Sequence, residues 1–303
     1  MQVEQKQDQS TPILKDLSQV RIAIPFSCVR CNYDLNGLAG DTDCPECGNP
    51  IRVSIYETID PATKRLAQLP NPKVIGNMLP LMVISFFISA LWVCVGGVVV
   101  SKHFATIGSL HLRLRDTDFF MLAFIFALLT FCFSIPIIKA NRNECLEGCN
   151  RGLLLICVGS ICWAGSMLLA LLSAQNEFHY SRDMLVVLYD TILPSVSGVI
   201  LFLGFKKFIP RIGIRSRAFR QAQVSRQRMN DLLVAVVVIC FGRVLMATNQ
   251  VDSNPYTFGS IIMIMGMSLV LVGLGYTVWN TLWIRKSLLS PPPSIQELVR
   301  PID

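Results

Sequence analysis

The sequence predicts an all-α polytopic membrane protein with six transmembrane helices and a small cysteine-rich domain at its N-terminus. Apolar residues make up 52% of the 303 residues and charged residues only 16%, whereas a soluble domain carries about 25% charged residues. From Val74 onward, long apolar runs alternate with short polar segments. Ahead of these runs, four of the 11 cysteines form two C-x-x-C pairs.

The first 25 residues are polar and mixed in charge, and they contain no apolar segment of the kind found in signal peptides. We predict a disordered tail over residues 1–25 that stays in the cytosol. Because the cytosol is reducing, the paired cysteines that follow are expected to bind a metal and not to form disulfides.

The stretch CVRCNYDLNGLAGDTDCPECG fits a structural site for one Zn2+, with Cys28, Cys31, Cys44 and Cys47 as ligands. Zinc prefers four tetrahedral ligands, and thiolate sulfur suits it. Two C-x-x-C turns complete this shell and leave no position for a catalytic water. We therefore predict a zinc-ribbon β-hairpin domain over residues 26–55. A redox dithiol, or four unrelated cysteines, are the alternatives.

The residues around the cysteines support a turn that wraps around an ion. Asn32 and Gly48 directly follow the two pairs, and Gly and Asn best tolerate the positive φ that such a turn often needs. We expect Tyr33, Leu35 and Leu38 to form a small apolar cluster under the metal. A domain this small does not fold on its core alone, and zinc binding supplies roughly 10–16 kcal/mol.

The motif C-x-x-C-x-Y-x-L-x-G-L, followed by C-P-x-C-G, resembles the N-terminal zinc ribbon of many uncharacterised bacterial membrane proteins. The resemblance covers residues 26–53, and it implies zinc at the four cysteines ahead of several membrane helices in a bacterial inner membrane. Asn32 departs from that pattern, in which glycine is frequent. The resemblance implies no known activity.

Residues 56–73 are predicted to be a juxtamembrane segment, either a plain linker or a linker with a short helix that begins at Pro61 and is capped by Asp60. A helix needs about 20 apolar residues to cross a hydrocarbon core about 30 Å thick. Six segments of the predicted transmembrane domain (residues 74–286) meet this requirement: 74–100, 119–138, 152–174, 184–205, 232–249 and 258–284. Along the sixth, Gly259, Gly266 and Gly273 recur every seven residues, which favours close helix packing.

The distribution of Lys and Arg predicts the orientation, because these residues are enriched on the cytoplasmic side. Of the 27 Lys and Arg residues, only four fall in the predicted outer loops, namely Lys102, Arg113, Arg115 and Arg182. The N-terminus and the C-terminal tail, residues 287–303, are therefore both predicted to be cytoplasmic.

Two ionisable residues lie inside predicted spans. Asp190 in the fourth span and Arg243 in the fifth each lie six residues from the outer end, which is about 9 Å at 1.5 Å per residue. Their matching depth predicts an ion pair, because a charge inside a membrane is costly unless paired. The pair either fixes helix packing or has a functional role, such as lining a polar cavity or relaying a proton. Alternatively, the two residues are unpaired and Arg243 snorkels outward.

A segment predicted as a cytoplasmic loop, residues 206–228, contains eight basic residues and no acidic one. We predict that it faces anionic lipids, to which each basic residue contributes about 1 kcal/mol. Nucleic-acid binding is not expected, because aromatic stacking partners are few. The basic residues are Lys206, Lys207, Arg211, Arg215, Arg217, Arg220, Arg226 and Arg228. The apolar residues expected to enter the membrane interface are Phe208, Ile209, Ile212, Ile214 and Phe219.

No nucleophile–base arrangement, phosphate-binding glycine loop or pair of carboxylates stands out in the sequence. The first hypothesis is therefore a non-catalytic membrane protein whose zinc ribbon is a docking or assembly module for a cytosolic protein. The second is a small transporter or channel with a polar site at Asp190 and Arg243. The third is a membrane enzyme with its active site in the outer loops.

Overall fold

A computed structural model of the chain describes residues 20–58, 69, 71–100, 116–141, 149–175, 191–221, 229–250, 253–290 and 298–301. The described residues belong to two compact units. One combines both flanks of the chain, and the other is formed by the segment between them, Ala67–Leu289.

The elements follow one another along the chain in this order: β1 (Val20–Ile22), α1 (Ile51–Thr58), α2 (Pro72–Val100), α3 (Asp116–Asn141), α4 (Cys149–Gln175), α5 (Leu193–Gly213), α6 (Arg217–Gln221), α7 (Met229–Thr248), α8 (Asn254–Leu289) and β2 (Val299–Pro301). Six of these helices, α2 to α5, α7 and α8, are long and apolar enough to cross a membrane. The predicted fold class is thereby confirmed, and the chain is a multi-pass membrane protein.

The six long helices pack in a ring. Helix α2 lies against α3 and α8, α4 lies against α3 and α5, and α7 lies against α8 and α5. Phe86 of α2 is fully buried, and its ring meets Trp163 edge-on at 5.1 Å, Phe202 at 5.8 Å and Phe205 at 5.9 Å between centroids. This aromatic cluster joins α2 to α4 and α5.

A buried hydrogen-bond chain links α2, α3 and α4. The indole Nε1 of Trp163 donates to Ser89 Oγ at 2.8 Å, and Ser89 Oγ donates to the carbonyl oxygen of Ala123 at 2.7 Å. In a membrane no water is present to replace these partners. The chain therefore fixes the three helices at one level.

Glycines allow close approach of α7 and α8. A Cβ atom at Gly242 would lie 2.6 Å from the carbonyl oxygen of Gly259, and one at Gly266 would lie 2.7 Å from a side-chain carbon of Ile239. Gly259 and Gly266 belong to the glycine repeat predicted to pack, and the structure places both against α7. Gly242, on the facing helix, was not predicted.

The fourth span extends further than predicted at its C-terminal end. The sequence placed its end at residue 205, before Lys206 and Lys207, but α5 continues to Gly213. The prediction of a loop at Lys206, Lys207 and Arg211 is therefore wrong. These three side chains are exposed, and the residues on the opposite face of α5 are buried. The charges therefore do not interrupt the apolar face of the helix.

The smaller unit contains a two-stranded antiparallel sheet formed by β1 and β2. Val20 pairs with Pro301, and Ile22 pairs with Val299. The prediction of a disordered tail through residue 25 is wrong for β1, because Val20 and Ile22 are buried while Arg21 between them is exposed. Strand β2 lies within the predicted C-terminal tail. The predicted helix at Asp60 lies outside the described residues.

Candidate metal centre

The first cysteine pair occupies a tight turn. The backbone N–H of Cys28 donates to the carbonyl oxygen of Tyr33 at 2.8 Å, and the N–H of Asn32 donates to the carbonyl oxygen of Cys28 at 2.9 Å. A single antiparallel bridge between Ser27 and Asp34 closes the turn. Asn32 has a φ of 60°, so the predicted positive φ is confirmed here.

The second cysteine pair repeats this geometry. The N–H of Cys44 donates to the carbonyl oxygen of Asn49 at 2.9 Å, and the N–H of Gly48 donates to the carbonyl oxygen of Cys44 at 2.9 Å. A bridge between Asp43 and Pro50 closes this turn, and Gly48 has a φ of 65°. The two C-x-x-C motifs are therefore equivalent knuckles at the tips of short hairpins.

The two knuckles bring their four sulfur atoms together. Cys28 Sγ lies 3.7 Å from Cys47 Sγ, and Cys31 Sγ lies 3.6 Å from Cys44 Sγ. All four ligand atoms lie within 4.8 Å of one another. A tetrahedral ion with metal–sulfur bonds of about 2.3 Å requires sulfur–sulfur separations of about 3.8 Å, whereas a disulfide bond is about 2.05 Å long. The four cysteines therefore lie close enough to bind one metal ion.

Helix α1 supports the site from below. Ser54 is completely buried. Its Oγ donates to Cys28 Sγ at 3.9 Å and accepts a hydrogen bond from the N–H of Val29 at 3.3 Å. A ligand held by a partner of this kind keeps its orientation. Ser54 lies outside both C-x-x-C motifs, so the motif spacing did not identify it.

The pKa values of Cys28 and Cys31 are shifted in opposite directions. Burial raises the pKa of Cys28. Hydrogen bonds from the backbone of Arg30 and Cys31 and from the side chains of Cys47 and Cys31 lower it by more, so the net pKa is about 6. At Cys31 a backbone hydrogen bond from Tyr33 lowers the pKa, but burial and the neighbouring thiols raise it to about 12. Because neighbouring thiolates repel one another, a bound dication is needed to keep all four deprotonated.

A small core lies beneath the knuckles and includes residues from both flanks of the chain. Leu35 is fully buried and Leu38 packs at its edge, so the prediction of these two positions is confirmed. Tyr33 is 38% exposed, and its predicted place in the cluster is wrong. The buried members are Val20, Ile22, Phe26, Cys28, Leu35, Cys44, Ile51, Ile55, Leu298 and Val299.

The predicted intramembrane ion pair involves one residue that the structure describes. Arg243 lies on α7 and is half-buried, whereas Asp190 lies outside the described residues. The pair therefore stays a prediction.

The basic segment divides into a helix end, a turn and a second short helix. Lys206, Lys207 and Arg211 lie on α5 and Arg215 lies in the turn that follows. Arg217 and Arg220 lie on α6, and Arg226 and Arg228 lie outside the described residues. The expectation that the apolar residues enter the membrane interface is wrong for Phe208, Ile209, Ile212 and Phe219, which are buried in the helix core. Ile214 is exposed.

A cavity of about 90 Å³ lies among α2, α4, α5, α7 and α8. Its polar groups include the hydroxyls of Thr191 and Ser195, next to Pro194 in the first turn of α5, and apolar side chains such as Phe86 and Met267 form most of the wall. The wall of this cavity is therefore largely apolar.

No protein family, curated protein or solved structure matches this chain. The family resemblance of the two C-x-x-C motifs therefore stays a prediction. At these motifs the structure shows two equivalent knuckles and one cluster of sulfur atoms.

Proposed function

We propose that this protein is a zinc-binding protein of a bacterial inner membrane, in which the four-cysteine domain is a cytoplasmic docking or assembly module. The observation that carries the proposal is the convergence of four sulfur atoms within 4.8 Å in a chain that also has six helices apolar enough to cross a membrane. Four thiolates suit Zn2+ better than the oxygen-seeking cations Mg2+ and Ca2+.

The role of the zinc ion is structural. Cys28, Cys31, Cys44 and Cys47 occupy all four positions of a tetrahedral shell, so no position remains for a water or a substrate. The ion joins two knuckles whose shared core is small, and it supplies free energy of folding that this core lacks.

Exposed apolar side chains near the knuckles support a docking role. Val29 and Tyr33 on the first knuckle are 42% and 38% exposed, and Tyr56 on α1 is 51% exposed. Aromatic side chains of this kind are enriched at protein interfaces. The proposed occupant is a cytosolic protein that assembles with the membrane domain.

The pairing of β1 with β2 supports a topology with both flanks on one side of the membrane. Strand β1 precedes the first span and β2 follows the last, so their hydrogen bonds require an even number of crossings. The excess of Lys and Arg on this side supports its assignment to the cytoplasm.

The exposed basic side chains of α5 and α6 support contact with anionic lipids. Lys206, Lys207, Arg211 and Arg217 are exposed, while Phe208 on the opposite face is buried. Each charge near an anionic surface contributes about 1 kcal/mol. Replacing these four residues by Gln is expected to reduce binding of the purified protein to phosphatidylglycerol vesicles, with phosphatidylcholine vesicles as the control.

Metal analysis and affinity purification test the proposed function together. We expect one zinc ion per chain in protein purified from native membranes, and loss of that zinc in Cys44→Ser but not in Cys132→Ser, which changes an exposed thiol of α3. Cytosolic partners should co-purify with the wild type and with Cys132→Ser only. Purified wild type without stoichiometric zinc contradicts the proposal.

The alternative function is a small transporter or channel with a polar site at Asp190 and Arg243. The cavity lined by Thr191 is an internal space of the kind that this function needs, but its largely apolar wall does not favour passage of a polar solute. Asp190→Ala and Arg243→Ala are expected to lower protein levels more than a nearby Leu→Ala change, with coupling in the double variant. Additive effects no larger than those of the Leu→Ala control exclude the ion pair.

A further inference from the structure

Strand β2 is part of the four-cysteine domain and not a separate tail. Leu298 is fully buried and Val299 is 6% exposed, in the same core as Cys28 and Cys44. The backbone N–H of Ala23 donates to the carbonyl oxygen of Leu298 at 2.8 Å. A segment some 250 residues downstream of the last cysteine ligand thus belongs to the same core as the two buried ligands.

Strand β1 connects β2 to the segment between the knuckles. On one side it pairs with β2. On the other side, the N–H of Ile22 donates to the carbonyl oxygen of Leu38 at 3.0 Å, and the N–H groups of Gly37 and Gly40 donate to β1 carbonyl oxygens at 2.9 and 3.0 Å. The strand that holds β2 is therefore itself held by the chain between the two C-x-x-C motifs.

We propose that metal binding at the four cysteines and docking of β2 are coupled, so that the metal-loaded domain holds β2 and loss of the metal releases it. This inference rests on the proposed zinc site. The core that receives Leu298 consists largely of residues next to the knuckles, and so small a core does not persist without the ion. Coupling between two binding events is reciprocal. If bound zinc strengthens the docking of β2 by a given factor, docked β2 must strengthen zinc binding by the same factor.

Hydrogen exchange in the full-length protein in detergent measures the docking of β2. The amide groups of residues 298–300 are expected to exchange at least about tenfold faster after a chelator removes zinc, since coupling factors of about 5–150 are typical. Cys31→Ser, which lacks one ligand, is expected to show the fast exchange even with zinc present. Amides in the middle of α4 serve as an internal reference that zinc removal should leave unchanged.

The reciprocal experiment measures zinc affinity by competition with a chromophoric chelator. Leu298→Asp places a charge in the shared core and is expected to weaken zinc binding by about tenfold. Leu298→Ala, which adds no charge, is expected to act in the same direction to a smaller extent. Tyr56→Asp places the same charge at an exposed position of this domain and is expected to leave the affinity within about twofold.

The outcomes separate this inference from the function on which it rests. If wild type binds no stoichiometric zinc, the proposed function is wrong and the coupling falls with it. If zinc binds but the amides of residues 298–300 exchange equally fast with and without it, the zinc site stands and the coupling is wrong. Equal zinc affinities of wild type and both Leu298 variants lead to the same conclusion.

Discussion

Ile55 offers a direct measure of how strongly the small core supports the metal centre. It lies on α1 and is completely buried, in the same cluster as Cys28 and Cys44. Ile55→Ala removes apolar atoms from a site with no access to solvent. Such substitutions cost about 2–5 kcal/mol, and we take about 3 kcal/mol for this position.

This cost should appear as a loss of zinc affinity. Small zinc domains are unfolded without the metal, so the free energy of binding includes the free energy of folding. A loss of about 3 kcal/mol at 1.4 kcal/mol per tenfold change corresponds to roughly a 100-fold weaker apparent affinity. Ile55 is not itself a ligand, so an effect of this size must come through the core.

The assay is chelator competition on the purified full-length protein, with Tyr56→Ala as the matched control. Tyr56 is the next residue on α1 and is 51% exposed, so its truncation should change the apparent affinity by no more than about twofold. If Ile55→Ala also lies within twofold of wild type, the core and the site are independent and the reasoning is wrong.

Three further substitutions test other parts of the structure. Gly48→Ala should weaken zinc binding by about tenfold, because a residue with Cβ in this left-handed conformation costs about 1–2 kcal/mol; Gly48→Asn should retain more affinity, and equal values for the two contradict the argument. Gly242→Ala should lower the Tm in detergent, because its Cβ would lie 2.6 Å from a backbone oxygen of α8. The control Gly275→Ala should leave the Tm unchanged, because no atom lies within 4 Å of the added Cβ. Ser89→Ala should cost about 1 kcal/mol of stability, and a double-mutant cycle with Trp163→Phe should show coupling of about 0.6 kcal/mol; a cycle without coupling contradicts the hydrogen-bond chain.

The sequence identified features whose causes are local. The two C-x-x-C motifs determine their own turns, and Asn32 and Gly48 were recognised because few residue types adopt a positive φ. The six spans were predicted because each contains an apolar run of about the length that the hydrocarbon thickness requires. These predictions needed no knowledge of which segments meet in space.

Features that depend on distant contacts were missed. Strand β2 is three residues long, too short for a periodic pattern, and its partner is at the other flank of the chain. Phe208 and Phe219 were expected at the membrane surface because basic residues surround them, but a helix separates its faces by side-chain direction. The burial of both residues follows from packing that only the fold provides.

The distance between β1 and β2 along the chain imposes a delay during synthesis. About 280 residues separate the two strands, so at 5–20 residues per second the ribosome finishes β2 roughly 14–55 s after β1. For most of this interval the knuckles have been synthesised, but the edge of β1 that pairs with β2 has no partner, and an unpaired edge invites pairing with other chains. The edge of β1 in the nascent protein therefore stays exposed until α8 and β2 have been synthesised.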